Sequence, residues 1–96
     1  MARAPQTVAF SIRGPIRRGD LPGLCDRVCA LLRENGPAVV VCDVRGVEPD
    51  AVTVDVLCRL QLAARRRACE VRLCNASDKL LELVGFMGLE NVLPCE

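Results

Sequence analysis

Pro37-Ala38-Val39-Val40-Val41-Cys42, followed by Asp43, is the longest apolar run in the chain. Six residues is strand length, and β-branched valines suit a pleated backbone. An unbroken run, rather than an alternating one, predicts a strand buried on both faces in a sheet covered by helices. Asp43 to Pro49 reads as the loop that leaves it. Asp50 can cap a helix reaching about Arg67, with Val52, Val56, Leu60, Ala63 and Ala64 on its apolar face. Asp55, Arg59, Arg65 and Arg66 fall on its solvated side.

Working outward from this centre, the same grammar repeats. Upstream, Leu21, Leu24, Cys25, Val28, Leu31 and Leu32 follow helical spacing through Glu34, with Asp20 as N-cap and Asn35-Gly36 as the stop. Before that helix, Thr7-Val8-Ala9-Phe10-Ser11-Ile12 alternates as a strand, Arg13-Gly14-Pro15 ends it, and Ile16 opens a second short strand. Downstream, Glu70 to Cys74 alternates as a strand and Ser77 caps a helix from Asp78 to about Val84, broken by Gly85 and Gly88. Val92-Leu93 reads as a last short strand or docking segment. Phe86, Met87 and Leu89 are predicted to seal the sheet end against the core. The order strand, helix, strand, helix, strand, helix with short linkers predicts one α/β domain over residues 1–96.

Composition narrows the function. Apolar residues make up 51% of the chain and charged residues 26%, which suits a folded core with a polar surface. The formal net charge of +1 supplies no field for nucleic acid or an anionic membrane. The chain has no His, Trp or Tyr, so the commonest acid–base catalyst, a frequent zinc ligand and a base-stacking platform are missing. Ser11 and Ser77 have no His to activate them. The seven cysteines form no C-x-x-C pair, and read as small buried hydrophobes in a reducing cytosol, with Cys95 the most exposed thiol. The N-terminus lacks the apolar core of a signal peptide, and no segment is long enough to span a bilayer. These features predict a cytoplasmic, non-catalytic domain without metal or cofactor.

Three stretches carry a resemblance to a known family. They are the strand and its exit, Val39 to Val47; the helix Asp50 to Arg67; and the ending Leu81 to Pro94. In order and spacing they resemble the STAS domain, shared by sulphate transporters and anti-sigma factor antagonists. The resemblance implies a central mixed β-sheet packed with α-helices, and a protein-interaction module of the anti-sigma factor antagonist kind. It places the partner-binding face on Val44, Arg45, Gly46, Val47, Glu48 and Pro49, and on Asp50, Ala51, Val52, Thr53 and Asp55 at the start of the second helix.

One departure is chemical. Phospho-regulated members of the family carry Ser or Thr directly after the loop Asp, where a partner kinase phosphorylates it. Here Asp50 is followed by Ala51, which has no oxygen to accept a phosphoryl group. Thr53 is the nearest hydroxyl, and a Thr in a first helical turn usually bonds local backbone instead. The implied behaviour is constitutive docking to an anti-sigma factor or switch kinase. Two further readings share the fold: a subunit attached to the ABC-type ATPase of a phospholipid-transport complex, and a nucleotide-binding sensor. Glu48, Asp50 and Asp55 around the helix start, and Arg65-Arg66-Arg67 at its end, fit ordinary dipole complementation.

Overall fold

The structure, a computed structural model, describes residues 6–35 and 38–95. Its elements are β1 (Gln6–Ser11), α1 (Leu21–Asn35), β2 (Ala38–Asp43), α2 (Ala51–Arg65), β3 (Glu70–Cys74) and α3 (Asp78–Phe86). The strands lie in the order β1-β2-β3 and both pairs are parallel, with Phe10 beside Cys42 and Cys42 beside Leu73. The α/β class stands as expected. The implied mixed sheet becomes a parallel one among the described residues, because each strand reaches the next through a helical crossover rather than a hairpin.

The sheet is covered on one face. Crossovers of one hand between strands laid side by side return their helices to the same side. Burial follows: Phe10, Ile12, Val40, Cys42, Val44, Val71 and Leu73 are in the core, whereas Thr7, Ala9, Ser11 and Arg72 are exposed. Val39 and Val41 are only half-buried, so the central strand is not enclosed on both faces. Its uninterrupted apolar run hid this asymmetry, since periodicity cannot report which face is covered when both are apolar.

The helices bury the stripes their spacing dictates. Leu24, Val28 and Leu32 of α1 enter the core, while Leu21, Cys25 and Leu31 pack at its margin. α2 buries a wider face than predicted, Thr53, Val54, Val56, Leu57, Leu60, Gln61 and Ala64, because α1, β3 and α3 all pack against it. The Asp20 side chain closes the turn before α1 instead of capping the helix itself. A 3-10 turn over Arg18–Asp20 leads into the helix, and the Asp20 carboxylate accepts the Arg17 N–H at 2.9 Å. Gly36 and Pro37, assigned to the helix stop and the strand start, lie outside the described residues.

Three local expectations change. Ile16 is buried without forming a strand. Gly85 lies inside α3; Gly88, at φ +70°, ends it. Phe86 does not seal the sheet: it is 90% exposed, and Met87 40%. The core stripe of α3 is Leu80 and Val84, and a residue two places beyond Val84 faces away from it.

β3's outer edge is closed by the protein's own groups. The Gln61 side-chain amide accepts the Val71 N–H and donates to the Val71 carbonyl, both at 2.7 Å, as a neighbouring strand would. The same amide donates to the Val92 carbonyl at 2.9 Å. Leu73 N–H then donates to the Pro94 carbonyl at 2.9 Å, and Cys95 bridges Leu73 in parallel. Val92-Leu93 is therefore a turn that docks the chain end, not a strand.

Candidate functional site

The loop between β2 and α2 begins where the sheet hydrogen bonds end. Ile12 N–H donates to the Asp43 carbonyl at 3.0 Å, and Val44 N–H donates to the Cys74 carbonyl at 3.1 Å. Asp43 turns its carboxylate forward to accept the Arg45 N–H at 3.0 Å, and the Arg45 guanidinium lies 3.8 Å away. Chiefly through that backbone donor, the Asp43 carboxyl is held below its ordinary value; partial desolvation opposes it, and Asn75, Arg45 and Arg13 add to the lowering. Next door, burial above all, with Cys74 and Asp43 adding, pushes the Cys42 thiol up to about 12, so it stays protonated and unreactive near neutrality.

Two valines anchor the loop. Val44 and Val47 point into the core, and Val47 N–H donates to the Val44 carbonyl at 3.2 Å, closing a tight turn. Arg45, Gly46 and Glu48 are thereby turned out to solvent, and Pro49 is half-buried. Asp50 then caps α2: its backbone is extended, and its carboxylate accepts the Thr53 N–H at 2.7 Å. A cap of this kind satisfies one of the free N–H groups of the first turn.

Ala51, the first residue of α2, is exposed, and Val52 beside it is half-buried. Thr53 is wholly buried, and its hydroxyl finds no hydrogen-bond partner among the described residues. Asp55, one turn on, holds the Arg59 Nε through both carboxylate oxygens at 3.2 Å. Arg18, from the turn before α1, approaches Asp55 at 3.9 Å. The proposed face thus divides. Arg45, Gly46, Glu48, Asp50 and Ala51 share the surface, with Pro49, Val52 and Asp55 at its margin, and Val44, Val47 and Thr53 hold it from beneath.

Sequence reasoning missed Arg18. The i, i+4 spacing of Asp55 and Arg59 was legible, but Arg18 arrives only through packing of α1 on α2. It also missed Gln61, which lies outside the Val52, Val56, Leu60 and Ala64 stripe and is buried with Leu57 because the packed face of α2 is wider than that stripe. Arg65, Arg66 and Arg67 are exposed at the far end of α2, away from this face. Among the described residues no cluster of His, Cys, Asp or Glu could hold a metal ion, and no helix is long and apolar enough to cross a membrane.

The family model described as "Mlab, STAS domain" matches residues 1–94. The solved structure of a sulfate transporter family protein from Wolinella succinogenes superposes with a TM-score of 0.63 at 24% identity, over 91% of this chain and 70% of its own. The anti-sigma factor antagonist SpoIIAA in its unphosphorylated form superposes with a TM-score of 0.65 at 11% identity, over 100% of this chain and 84% of its own. At such identities the likeness is one of fold. Among curated proteins none matches.

Proposed function

Because the chain belongs to the Mlab family of STAS domains, we propose that it is a non-catalytic, cytoplasmic docking module, a single domain over residues 1–96, that binds a protein partner through the Arg45–Asp55 face. The observation that carries this reading is the exposed methyl of Ala51 at a capped helix start, on a loop anchored by Val44 and Val47. A rigid, solvent-facing loop beside a helix terminus is a common recognition surface. A phosphoryl group there would add about −1.5 to −2 charges and disrupt apolar docking. Alanine in place of the acceptor, with the Thr53 hydroxyl buried, keeps the face in one electrostatic state. Binding is then constitutive and governed by how much partner is present.

The leading partner is a switch kinase of the anti-sigma factor type. A second reading, an ABC-type transport ATPase, is favoured by the same methyl group: a partner that never phosphorylates this face needs no hydroxyl on it. A nucleotide-sensing role comes third, and calorimetry with ATP and GTP tests it. The partner test places a photo-crosslinking residue at Ala51 and, in a separate chain, at Arg72 on the open sheet face. The expected adduct forms at Ala51 and contains an ATP-binding protein, whose identity by mass spectrometry decides between the first two readings. Adducts confined to Arg72 would remove the docking face from α2.

A further inference from the structure

The two edges of the sheet are treated differently. β3's edge is closed by Gln61 and the C-terminal segment. β1's outer edge pairs with no strand among the described residues. Ile12 N–H points at β2, so strand alternation aims the N–H and C=O groups of Thr7, Ala9 and Ser11 outward. From Gln6 to Ser11 the strand holds no charge and no proline, the residues that ordinarily guard an edge.

We propose that this edge pairs with the same edge of a second copy, antiparallel, about a twofold axis through Ala9. Ala9 then faces its symmetry mate and exchanges both backbone hydrogen bonds with it. Thr7 faces Ser11 of the other copy, a favourable cross-strand pair. The helices agree with this register. α1 packs on both β1 and β2, so it lies over their junction. A strand spacing of about 4.8 Å across the new pair sets the two α1 helices about 10 Å apart, a normal packing distance.

Charge complementarity names the occupant. Arg27, Ala30 and Glu34 form a stripe of α1 along a cleft shared with Ala9, Phe10 and Ser11. All three are exposed. Two antiparallel copies of that stripe, centred beside Ala30, bring Arg27 of each against Glu34 of the other, and alanine at the centre permits close approach. Arg27 is already steered over the Phe10 ring, 4.6 Å from its centroid, on the edge side of the helix. The α2 docking face lies at the carboxyl end of the strands, so this pairing stands apart from the function proposed above.

Sedimentation of the full chain from about 1 μM to about 1 mM tests the proposal. The wild type is expected to pass from monomer to dimer. Ala9→Pro removes an N–H that pairs with nothing among the described residues, and is expected to stay monomeric with an unchanged circular dichroism spectrum. Glu34→Arg, on an exposed helix surface, covers the case in which Ala9→Pro fails to fold. It should weaken the dimer by roughly tenfold. Arg27→Glu with Glu34→Arg should restore it. A wild type that is monomeric throughout, or a dimer indifferent to Glu34→Arg, overturns the proposal.

Discussion

Gln61 occupies a place that a strand would otherwise fill, and its amide behaves like a peptide group. Leucine at this position keeps the volume but leaves the Val71 N–H, the Val71 carbonyl and the Val92 carbonyl without this partner in the core. Gln61→Leu is expected to lose about 2–4 kcal/mol of stability, read from urea unfolding. Thr53 is the converse case: its buried hydroxyl bonds to nothing described. Thr53→Val removes that polar atom at constant shape, and should raise the unfolding free energy by about 1 kcal/mol. Asp43 adds a pH dependence. Its folded pKa lies below the ordinary 3.8, so its share of stability is present above that value and fades as pH falls through the lower folded value. Urea midpoints of wild type and Asp43→Asn should therefore differ more at about pH 6 than at about pH 2. Equal differences at both would deny the shift.

Helix ends show how backbone strain is distributed between elements. α2 and α3 both finish in a Schellman arrangement. In α2, Cys69 N–H donates to the Ala64 carbonyl at 3.0 Å and Ala68 N–H to the Arg65 carbonyl at 3.1 Å; in α3, Leu89 and Gly88 repeat the pattern on Val84 and Gly85. Both require a left-handed residue, and α3 uses Gly88 where α2 uses Ala68 at φ 58°. Ala68→Gly should raise thermal stability by up to about 1 kcal/mol, and Gly88→Ala should lower it by a similar amount. Differential scanning calorimetry reads both. The same contrast explains what was legible. Ser77 and Asp50 announced their helices because capping is local, and β3 was read to its ends because its flanks break periodicity. α2's end was placed late because its cap is an alanine. Gln61's role and Phe86's exposure depend on which side of a helix meets the sheet, which short-range pattern does not state. Of the candidate face, the loop and the cap were readable. Its division into solvent-facing and anchoring residues was not, since Val44, Val47 and Thr53 are sorted by burial alone.

At the scale of the molecule, function rests on asymmetry. One sheet face is packed and the other is open, one sheet edge is closed and the other is unpaired among the described residues, and the α2 entrance stands where the strands deliver their loops. Surface ion pairs such as Arg59–Asp55 are partly solvated and contribute little to stability. They still fix the charge pattern that a partner meets beside Ala51. The most direct measurement is calorimetric titration of the partner captured at Ala51 with wild type, Ala51→Asp and Arg72→Asp. Ala51→Asp should cut affinity by roughly a hundredfold while leaving the melting temperature unchanged, and Arg72→Asp should bind like wild type. Undiminished binding by Ala51→Asp would contradict the docking face and the fixed electrostatic state inferred for it.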